Sequence, residues 1–206
     1  MILKNNYWCF KSAIKESLCD DIINLAKKLT VEVGTTGDRN DLSKRTYADL
    51  KKDRDSNVVW LEASWIYELI IPHIDLANKS AGWNFDWDFL EKCQFTTYGK
   101  DQHYNWHKDA FREPTNVPND PKQHGKIRKL SVTLNLSDPK EYTGGELEFD
   151  FSNGGPSLKK KIYVCKDILP KGSMVVFPSH IWHRVTPVTS GERKSLVIWN
   201  LGYPFR

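Results

Sequence analysis

The alternation of short β-prone runs with turn residues restricts the possible folds of this chain most. Beyond Gly82, segments rich in Val, Ile, Leu, Phe and Thr are separated by Gly, Pro, Asn and Asp. Many short strands at close spacing are typical of a β-sandwich or jelly roll, so we expect a mainly β core. The predicted strands cover residues 90–98, 129–136, 146–151, 161–165, 173–177, 183–187 and 195–201.

The N-terminal part of the chain carries two helical patterns. Apolar residues at helical spacing follow Ser17, which we expect to cap the first helix. A second pattern covers residues 58–78, and Pro72 should kink or split that helix because proline lacks a backbone N–H. The polar stretch between them predicts a loop with a short strand around residues 45–50. We expect these helices to pack on the β core.

The length and composition of the chain fit one domain. The 206 residues are 39% hydrophobic and 27% charged, which is ordinary for a globular protein. Four cysteines without a CxxC spacing favour reduced thiols, and no run approaches the roughly 20 apolar residues that span a bilayer. The start of the chain lacks the apolar run of a secretory signal. We therefore expect a cytoplasmic protein without membrane contact, with one domain at 1–206. In that domain 1–89 is a helical support region and 90–206 the jelly-roll core.

A His-x-Asp pair and a distant histidine are the residues with the clearest chemical meaning. On a strand, His107 and Asp109 point to the same face because they are two residues apart. His183 follows a predicted buried strand and can reach the same point from a neighbouring strand. Two imidazoles and one carboxylate leave several positions of a metal open, which suits non-haem Fe(II) and oxygen chemistry. The pair alone also fits polar surface residues beside a turn, so the metal site depends on all three.

Other histidines compete for these positions. His180 is the alternative third ligand, but Pro178 indicates a turn before the next strand and favours His183. His103 and His107 have the spacing of a helical zinc pair, yet the glutamate that follows the first histidine in that motif is missing.

Arg193 lies ten residues after His183, and a hairpin between them would return the chain past the metal. Its planar guanidinium matches a carboxylate, so an anionic cosubstrate anchored by Arg193 fits this plan. The alternative is an exposed arginine in a Gly-containing turn. Residues 111–125 form a long segment with three prolines, which we expect to be a mobile loop of the kind that often serves as a lid.

Three motifs in order resemble a known family. Residues 98–109 contain the His-x-Asp pair, residues 144–147 read Gly-Gly-Glu-Leu, and residues 177–195 run from Phe-Pro-Ser through His183 to Gly-Glu-Arg-Lys-Ser. Together they resemble the prolyl 4-hydroxylase-like branch of the 2-oxoglutarate/Fe(II)-dependent dioxygenases, especially its bacterial and viral PKHD-type members. The resemblance covers roughly residues 90–203, and it is more specific for the superfamily than for a substrate.

The resemblance implies a double-stranded β-helix core of the jelly-roll type with the N-terminal helices packed on it. It implies that His107, Asp109 and His183 bind Fe(II). It also implies that Arg193 pairs with the C5 carboxylate of the cosubstrate 2-oxoglutarate, where many animal and plant prolyl hydroxylases have a lysine.

Further cosubstrate contacts are implied in the same way. Tyr98 matches a tyrosine that often hydrogen-bonds the C5 carboxylate, and Ser195 is assigned to the same site. Many prolyl hydroxylases have a second tyrosine on the strand after the His-x-Asp loop, and here Asn135 takes that place. Close approach of two strands near the site explains Gly144 and Gly145, with an ordinary hairpin turn as the alternative.

The implied reaction is hydroxylation of an unactivated C–H bond with O2, with release of succinate and CO2 and with ascorbate as an accessory reductant. The expected partner is a protein or peptide, hydroxylated at a proline or another side chain, with a free amino acid as a further option. A nucleic-acid-directed oxygenase is one alternative; such relatives typically carry a second arginine shortly after the first, and residues 194–199 contain none. A non-catalytic jelly roll that binds metal or ligand is the other, and the intact ligand set argues against it.

Overall fold

The computed structural model describes residues 3–35, 46–152 and 162–205. Its helices are α1 Glu16–Ala26, α2 Tyr47–Asp53 and α3 Ser64–Ser80, and a short 3-10 helix covers Lys166–Ile168. Its strands are β1 Trp8–Phe10, β2 Glu32–Val33, β3 Arg54–Asp55, β4 Asn57–Leu61, β5 Phe89–Leu90, β6 Cys93–Tyr98, β7 His103–His107, β8 Ile127–Asn135, β9 Tyr142–Gly144, β10 Leu147–Asp150, β11 Tyr163–Val164, β12 Met174–Pro178, β13 Trp182–Val185, β14 Val188–Gly191 and β15 Arg193–Gly202. Each of the predicted strands overlaps an observed one; residue 161 lies outside the described residues.

Two antiparallel sheets form the body of the domain. The larger has the strand order β1-β12-β8-β15-β6-β4-β2, with β5 also paired to β15, and the smaller has the order β11-β10-β13-β7-β3. β9 and β14 form a separate two-stranded sheet. The sheets pack face to face: Phe149 of β10 meets Phe177 of β12 edge-on, with ring centroids 5.1 Å apart. The predicted jelly-roll fold with flanking helices is confirmed.

The two faces of the larger sheet differ in chemistry because strand side chains alternate. On β15, Leu196 and Ile198 join the main core, where α1 and α3 cover the sheet. Ile66, Ile70 and Ile74 of α3 are at most 1% exposed in this core. Burial of each such side chain contributes roughly 1.5–3 kcal/mol. The intervening residues Ser195, Val197 and Trp199 face the smaller sheet and line a pocket between the two sheets.

The helix boundaries differ from the prediction. α1 begins at Glu16 with Lys15 as its N-cap residue and no side-chain cap, so Ser17 lies inside the helix. α3 begins only at Ser64, because the preceding apolar run forms β4 instead. Pro72 lies within α3 without splitting it.

The N-terminal region also contributes strands. β1, β2 and β4 extend the larger sheet and β3 extends the smaller one, so this region is more than a helical support. The strand predicted around residues 45–50 is wrong for its described part, which belongs to α2; residue 45 lies outside the described residues. Thr46 and Asp49 form a capping box that begins this helix, in which each side chain accepts a hydrogen bond from the backbone of the other.

The long segment at residues 111–125 is closed at its base by backbone hydrogen bonds. The Thr115 amide donates to the Lys126 carbonyl at 2.9 Å, and the Gly125 amide donates to the Thr115 carbonyl at 2.8 Å. Its mobility and its role as a lid remain predictions. Within the described residues, every helix is too short or too polar to span a bilayer.

Candidate active site

The predicted metal ligands converge between the sheets. His107 ends β7, His183 lies in β13, and the two are direct partners in the antiparallel register. Asp109 follows two residues beyond the end of β7. One side-chain atom from each of the three lies within 4.8 Å of the others. The Nε2 atoms of His107 and His183 lie 3.6 Å and 3.5 Å from the two carboxylate oxygens of Asp109.

Backbone carbonyls orient both imidazoles. Nδ1 of His107 lies 2.8 Å from the carbonyl of Asn105, and Nδ1 of His183 lies 3.0 Å from the carbonyl of Ile181. Because a carbonyl can only accept, Nδ1 carries the hydrogen in each ring and the lone pair of Nε2 points into the cluster. This is the tautomer that a histidine requires to bind a metal through Nε2.

The charge states of the cluster also suit a cation. Burial lowers the pKa of His183 to about 4, and repulsion from His107 adds to the effect, so His183 is neutral near pH 7. Burial alone would raise the pKa of Asp109, but the neighbouring imidazoles of His183 and His107 outweigh it and hold that pKa well below its usual range. A neutral imidazole and an ionised carboxylate are the forms that bind a divalent metal. The residues present therefore fit an iron ion.

The competing histidines lie outside this cluster. His180 is exposed in the turn between β12 and β13. His103 directs Nε2 toward the carbonyl of Lys52, at 3.1 Å. The choice of His183 over His180 from the turn at Pro178 agrees with this arrangement.

Arg193 lines the same pocket as the cluster. It is 2% exposed; Nη1 donates to Oγ of Ser195 at 3.3 Å, whereas Nη2 has no partner within the described part of the chain. Tyr98 is its register partner on β6, with the tyrosine ring 5.6 Å from the guanidinium carbon. A buried cationic donor without an acceptor is costly. Its arrangement with Tyr98 and Ser195 fits an anionic ligand such as a carboxylate.

The structure places Asn135, an expected cosubstrate contact, outside the lining of this pocket, because its side-chain amide donates to the carbonyls of Ser137 and Leu169, at 3.0 Å and 2.7 Å. As the last residue of β8, Asn135 satisfies the backbone of the turn that follows. Thr133, two residues earlier on β8, lines the pocket in its place.

Several residues of the pocket lining were missed by the sequence reasoning, and Tyr104 and Arg54 are the most instructive of them. Tyr104 should point away from His107, since they are three residues apart on one strand. However, the register between β7 and β13 shifts at this point: His183 pairs with His107, but Val185 pairs with Tyr104. This β-bulge brings Tyr104 into the pocket, where its ring stacks on His107 with centroids 3.5 Å apart. Arg54 also lines the pocket, from the two-residue strand β3, for which the sequence offers no recognisable signal.

Close approach, rather than an ordinary turn, explains the two glycines at the end of β9, Gly144 and Gly145. A Cβ atom on Gly144 would lie 2.3 Å from the carbonyl oxygen of Pro187. One on Gly145 would lie 3.0 Å from Cδ of Arg193 and 2.9 Å from Cγ2 of Val188. Both glycines have positive φ, of 73° and 67°, which side-chain-bearing residues rarely adopt. The chain thus passes directly over the aliphatic part of Arg193.

Solved structures share this fold. A prolyl-4-hydroxylase from Pseudomonas putida is 18% identical with a TM-score of 0.62, over 96% of this chain and 92% of its own. A viral collagen prolyl hydroxylase from Paramecium Bursaria Chlorella virus-1, in complex with 2-oxoglutarate, is 20% identical with a TM-score of 0.62, over 97% of both chains.

Sequence relatives match part of the chain. A PKHD-type hydroxylase of Pseudoalteromonas atlantica is 36% identical over 107 residues, which are 52% of this chain and 41% of that protein. A PKHD-type hydroxylase of Hyphomonas neptunium is 51% identical over 70 residues, which are 34% of this chain and 27% of that protein. The chain therefore matches less than half the length of these relatives. The sequence profile of the 2OG-Fe(II) oxygenase superfamily matches residues 93–200, a segment that contains the three predicted metal ligands and Arg193. This segment is more than half of the chain, and the chain belongs to the 2OG-Fe(II) oxygenase superfamily.

Proposed function

We propose that this protein is a 2-oxoglutarate- and Fe(II)-dependent dioxygenase that hydroxylates an unactivated C–H bond, in a peptidyl proline or another protein or amino-acid side chain. One observation carries the proposal: the cluster of His107, Asp109 and His183 shares a buried pocket with Nη2 of Arg193, which has no partner among the described residues. The cluster alone is compatible with several metals. The buried guanidinium adds a requirement for an anion beside the metal, which 2-oxoglutarate meets.

The bound iron and cosubstrate supply the oxidation: O2 is consumed, 2-oxoglutarate is converted to succinate and CO2, and one oxygen atom enters the substrate C–H bond. The protein contributes the ligand set. His107, Asp109 and His183 would hold the iron from one side, and their hydrogen-bonded orientation leaves the other side open to the cosubstrate. Ascorbate would keep the iron reduced.

Arg193 would bind the distal carboxylate of the cosubstrate. Ser195 holds one end of the guanidinium through Nη1, so Nη2 is already oriented before the ligand arrives. Tyr98 lies beside the guanidinium and offers its hydroxyl as a further donor. Because the pocket is buried between two sheets, water competes little with this ion pair, and the pair is correspondingly stronger than on the surface.

The substrate class is supported by relatives. The sequence relatives are named PKHD-type hydroxylases, and one neighbour in fold is a prolyl hydroxylase from Trichoplax adhaerens in complex with a hypoxia inducible factor peptide fragment (14% identity, TM-score 0.60). We therefore propose a protein or peptide partner, with a free amino acid as the second option.

The test is succinate production by the purified protein with Fe(II), 2-oxoglutarate, ascorbate and a library of proline-containing peptides. We expect peptide-dependent succinate and a mass increase of one oxygen atom on the peptide. His107→Ala and Asp109→Ala should each lower turnover at least about 100-fold, because two remaining ligands hold the metal poorly. His180→Ala is the matched control: this exposed histidine lies three residues from His183, and its loss should leave turnover unchanged.

Retained turnover in both ligand variants would rule out the assigned metal site. The protein could instead bind metal and 2-oxoglutarate tightly and form no succinate, either with peptide or slowly without it. That result would favour the non-catalytic binding module.

A further inference from the structure

Arg54 is a second buried arginine in the pocket. It lies on β3, in the N-terminal region outside the segment that matches the superfamily, and it is 4% exposed. Within the described part of the chain it forms no ion pair, so its charge is held by neutral groups. Burial of an unpaired charge is costly unless its donors are hydrogen-bonded, so a buried arginine at this position indicates a specific role.

The hydrogen bonds of Arg54 connect the two sheets. Nε donates to Oγ of Ser56 at 2.8 Å, and Nη2 donates to Oε1 of Gln94 at 2.8 Å. Nη1 donates to the carbonyl of Thr35 at 3.4 Å. Gln94 belongs to β6 of the larger sheet, whereas Arg54 itself belongs to the smaller sheet. The guanidinium is therefore fixed from several directions.

This fixed guanidinium lies over the ring of Tyr104. The guanidinium carbon is 4.6 Å from the centre of the tyrosine ring. His107 occupies a face of the same ring at 3.5 Å, with the two rings inclined by only 6°. Since one face is taken by His107, Arg54 lies on the other, and the three side chains form one stack. A cation over the face of an aromatic ring is attracted to it, so Arg54 presses Tyr104 onto the imidazole.

We propose that Arg54 is a positioning residue for the metal site, which acts on His107 through Tyr104. The hydrogen bond from Nδ1 of His107 to Asn105 fixes one edge of the imidazole, and the stack fixes its plane. Together they aim Nε2 at the point shared with Asp109 and His183. The N-terminal region thus contributes to the metal centre. The inference rests on the proposed function only in taking His107 as a metal ligand.

The test measures the affinity of the metal-free protein for Co(II), by its visible absorption, without any turnover. Arg54→Met should weaken Co(II) binding about tenfold, the low end of what removal of an outer-sphere partner costs, and should shift the Co(II) band. Tyr104→Leu should weaken binding by a similar factor, whereas Tyr104→Phe keeps the ring and should bind normally. In the double variant Arg54→Met/Tyr104→Leu the loss should not exceed that of Tyr104→Leu alone, because both changes break one stack.

Arg184→Met is the matched control. Arg184 also lies over an aromatic ring of β7, with its guanidinium carbon 4.9 Å from the centre of Trp106, and donates to Glu148 at 2.6 Å. Arg184 and Trp106 are absent from the residues that line the pocket, so this variant should bind Co(II) normally.

Two results would overturn the proposal: a Co(II) affinity within twofold of the wild type in Arg54→Met, or losses that multiply in the double variant. If Arg54→Met does not fold, the Co(II) affinity of Arg54→Lys is the test, because lysine keeps the positive charge and loses the several N–H donors of the guanidinium. An intermediate loss of affinity supports the proposal and an unchanged affinity refutes it. A protein that binds Co(II) as expected but makes no succinate would refute the proposed function and leave this inference standing.

Discussion

At the scale of single residues, the protonation of the metal ligands connects the site to stability. His183 has a pKa of about 4 in the folded protein because it is buried beside His107, against about 6.5 for an exposed histidine. The unfolded chain therefore binds one more proton than the folded chain between these two values. The lowered pKa of Asp109 has the same consequence at still lower pH.

We predict that the metal-free protein loses stability as the pH falls from about 6.5 to about 4. The free energy of unfolding should decrease by up to about 1.4 kcal/mol per pH unit from His183, since stability rises with pH wherever the unfolded state holds more protons. Urea denaturation with a chelator present, at several pH values, measures this slope. His183→Gln should flatten it, and exposed His124→Gln should retain it; an equal slope in His183→Gln and wild type would contradict the prediction.

Some site residues could be predicted from the sequence and others could not. His107, Asp109 and His183 could be predicted because period-two spacing and a following strand place them together. Tyr104 could not, because a β-bulge reverses the face to which it points. The place of Asn135 on β8 suggested a pocket residue. Because β8 ends there, the Asn135 amide donates instead to carbonyls of Ser137 and Leu169.

At the scale of elements, the strands β8, β12 and β15 were predictable from their apolar runs, whereas β4, β7 and β14 were not. β8, β12 and β15 carry buried apolar residues along most of their length. β7 and β14 carry mostly polar or partly exposed side chains. Backbone pairing with neighbouring strands, rather than an apolar pattern, defines them as strands. β4 was taken for a helix because Val58, Leu61 and Trp65 also fit helical spacing. Tertiary pairing decides such cases, and local sequence does not record it.

The connection from β9 to β10 should control cosubstrate affinity. In Gly145→Ala the new methyl group would press on Cδ of Arg193 and Cγ2 of Val188, at a backbone φ of 67°. We expect 2-oxoglutarate binding to weaken about tenfold, equivalent to about 1.4 kcal/mol, while Co(II) affinity changes little. Calorimetric titration of both ligands tests the difference.

The control for this variant is Gly82→Ala. Gly82 has a similar φ of 75°, but nothing lies within 4 Å of the added Cβ. In Gly82→Ala the free energy of unfolding should fall by roughly 1–2 kcal/mol, the cost of an alanine in the left-handed backbone conformation, without any loss of cosubstrate affinity. Equal affinity in Gly145→Ala and wild type would mean that the contact with Arg193 does not matter for binding.

At the scale of the whole molecule, the pocket is shared by two sheets that pack face to face. Ligands held by both sheets stabilise the folded state, because the unfolded chain cannot bind them. The metal ligands belong to the smaller sheet and the loop after β7, and Arg193 belongs to the larger sheet. Metal and cosubstrate together would join the two layers.

We predict stepwise thermal stabilisation by Co(II) and then by 2-oxoglutarate. A ligand at 100 times its Kd contributes about 2.7 kcal/mol, which raises the Tm of a domain of this size by roughly 5–10 °C. Arg193→Met should keep the shift caused by Co(II) and lose the one caused by 2-oxoglutarate. A scan in which Arg193→Met responds to both ligands like the wild type would exclude Arg193 as the anchor.

The position of β15 inside the larger sheet fixes Arg193 independently of the long segment at residues 111–125. Its residues from Ser195 to Val197 are paired on both sides, with β6 and β8, and Arg193 is carried at the start of this strand. The segment at residues 111–125, by contrast, forms no strand pairing with the described strands of either sheet, and backbone hydrogen bonds close it at Thr115, Gly125 and Lys126. We therefore expect substitutions in residues 111–125 to leave the position of Arg193 unchanged, because that position depends on the pairing of β15 within the larger sheet.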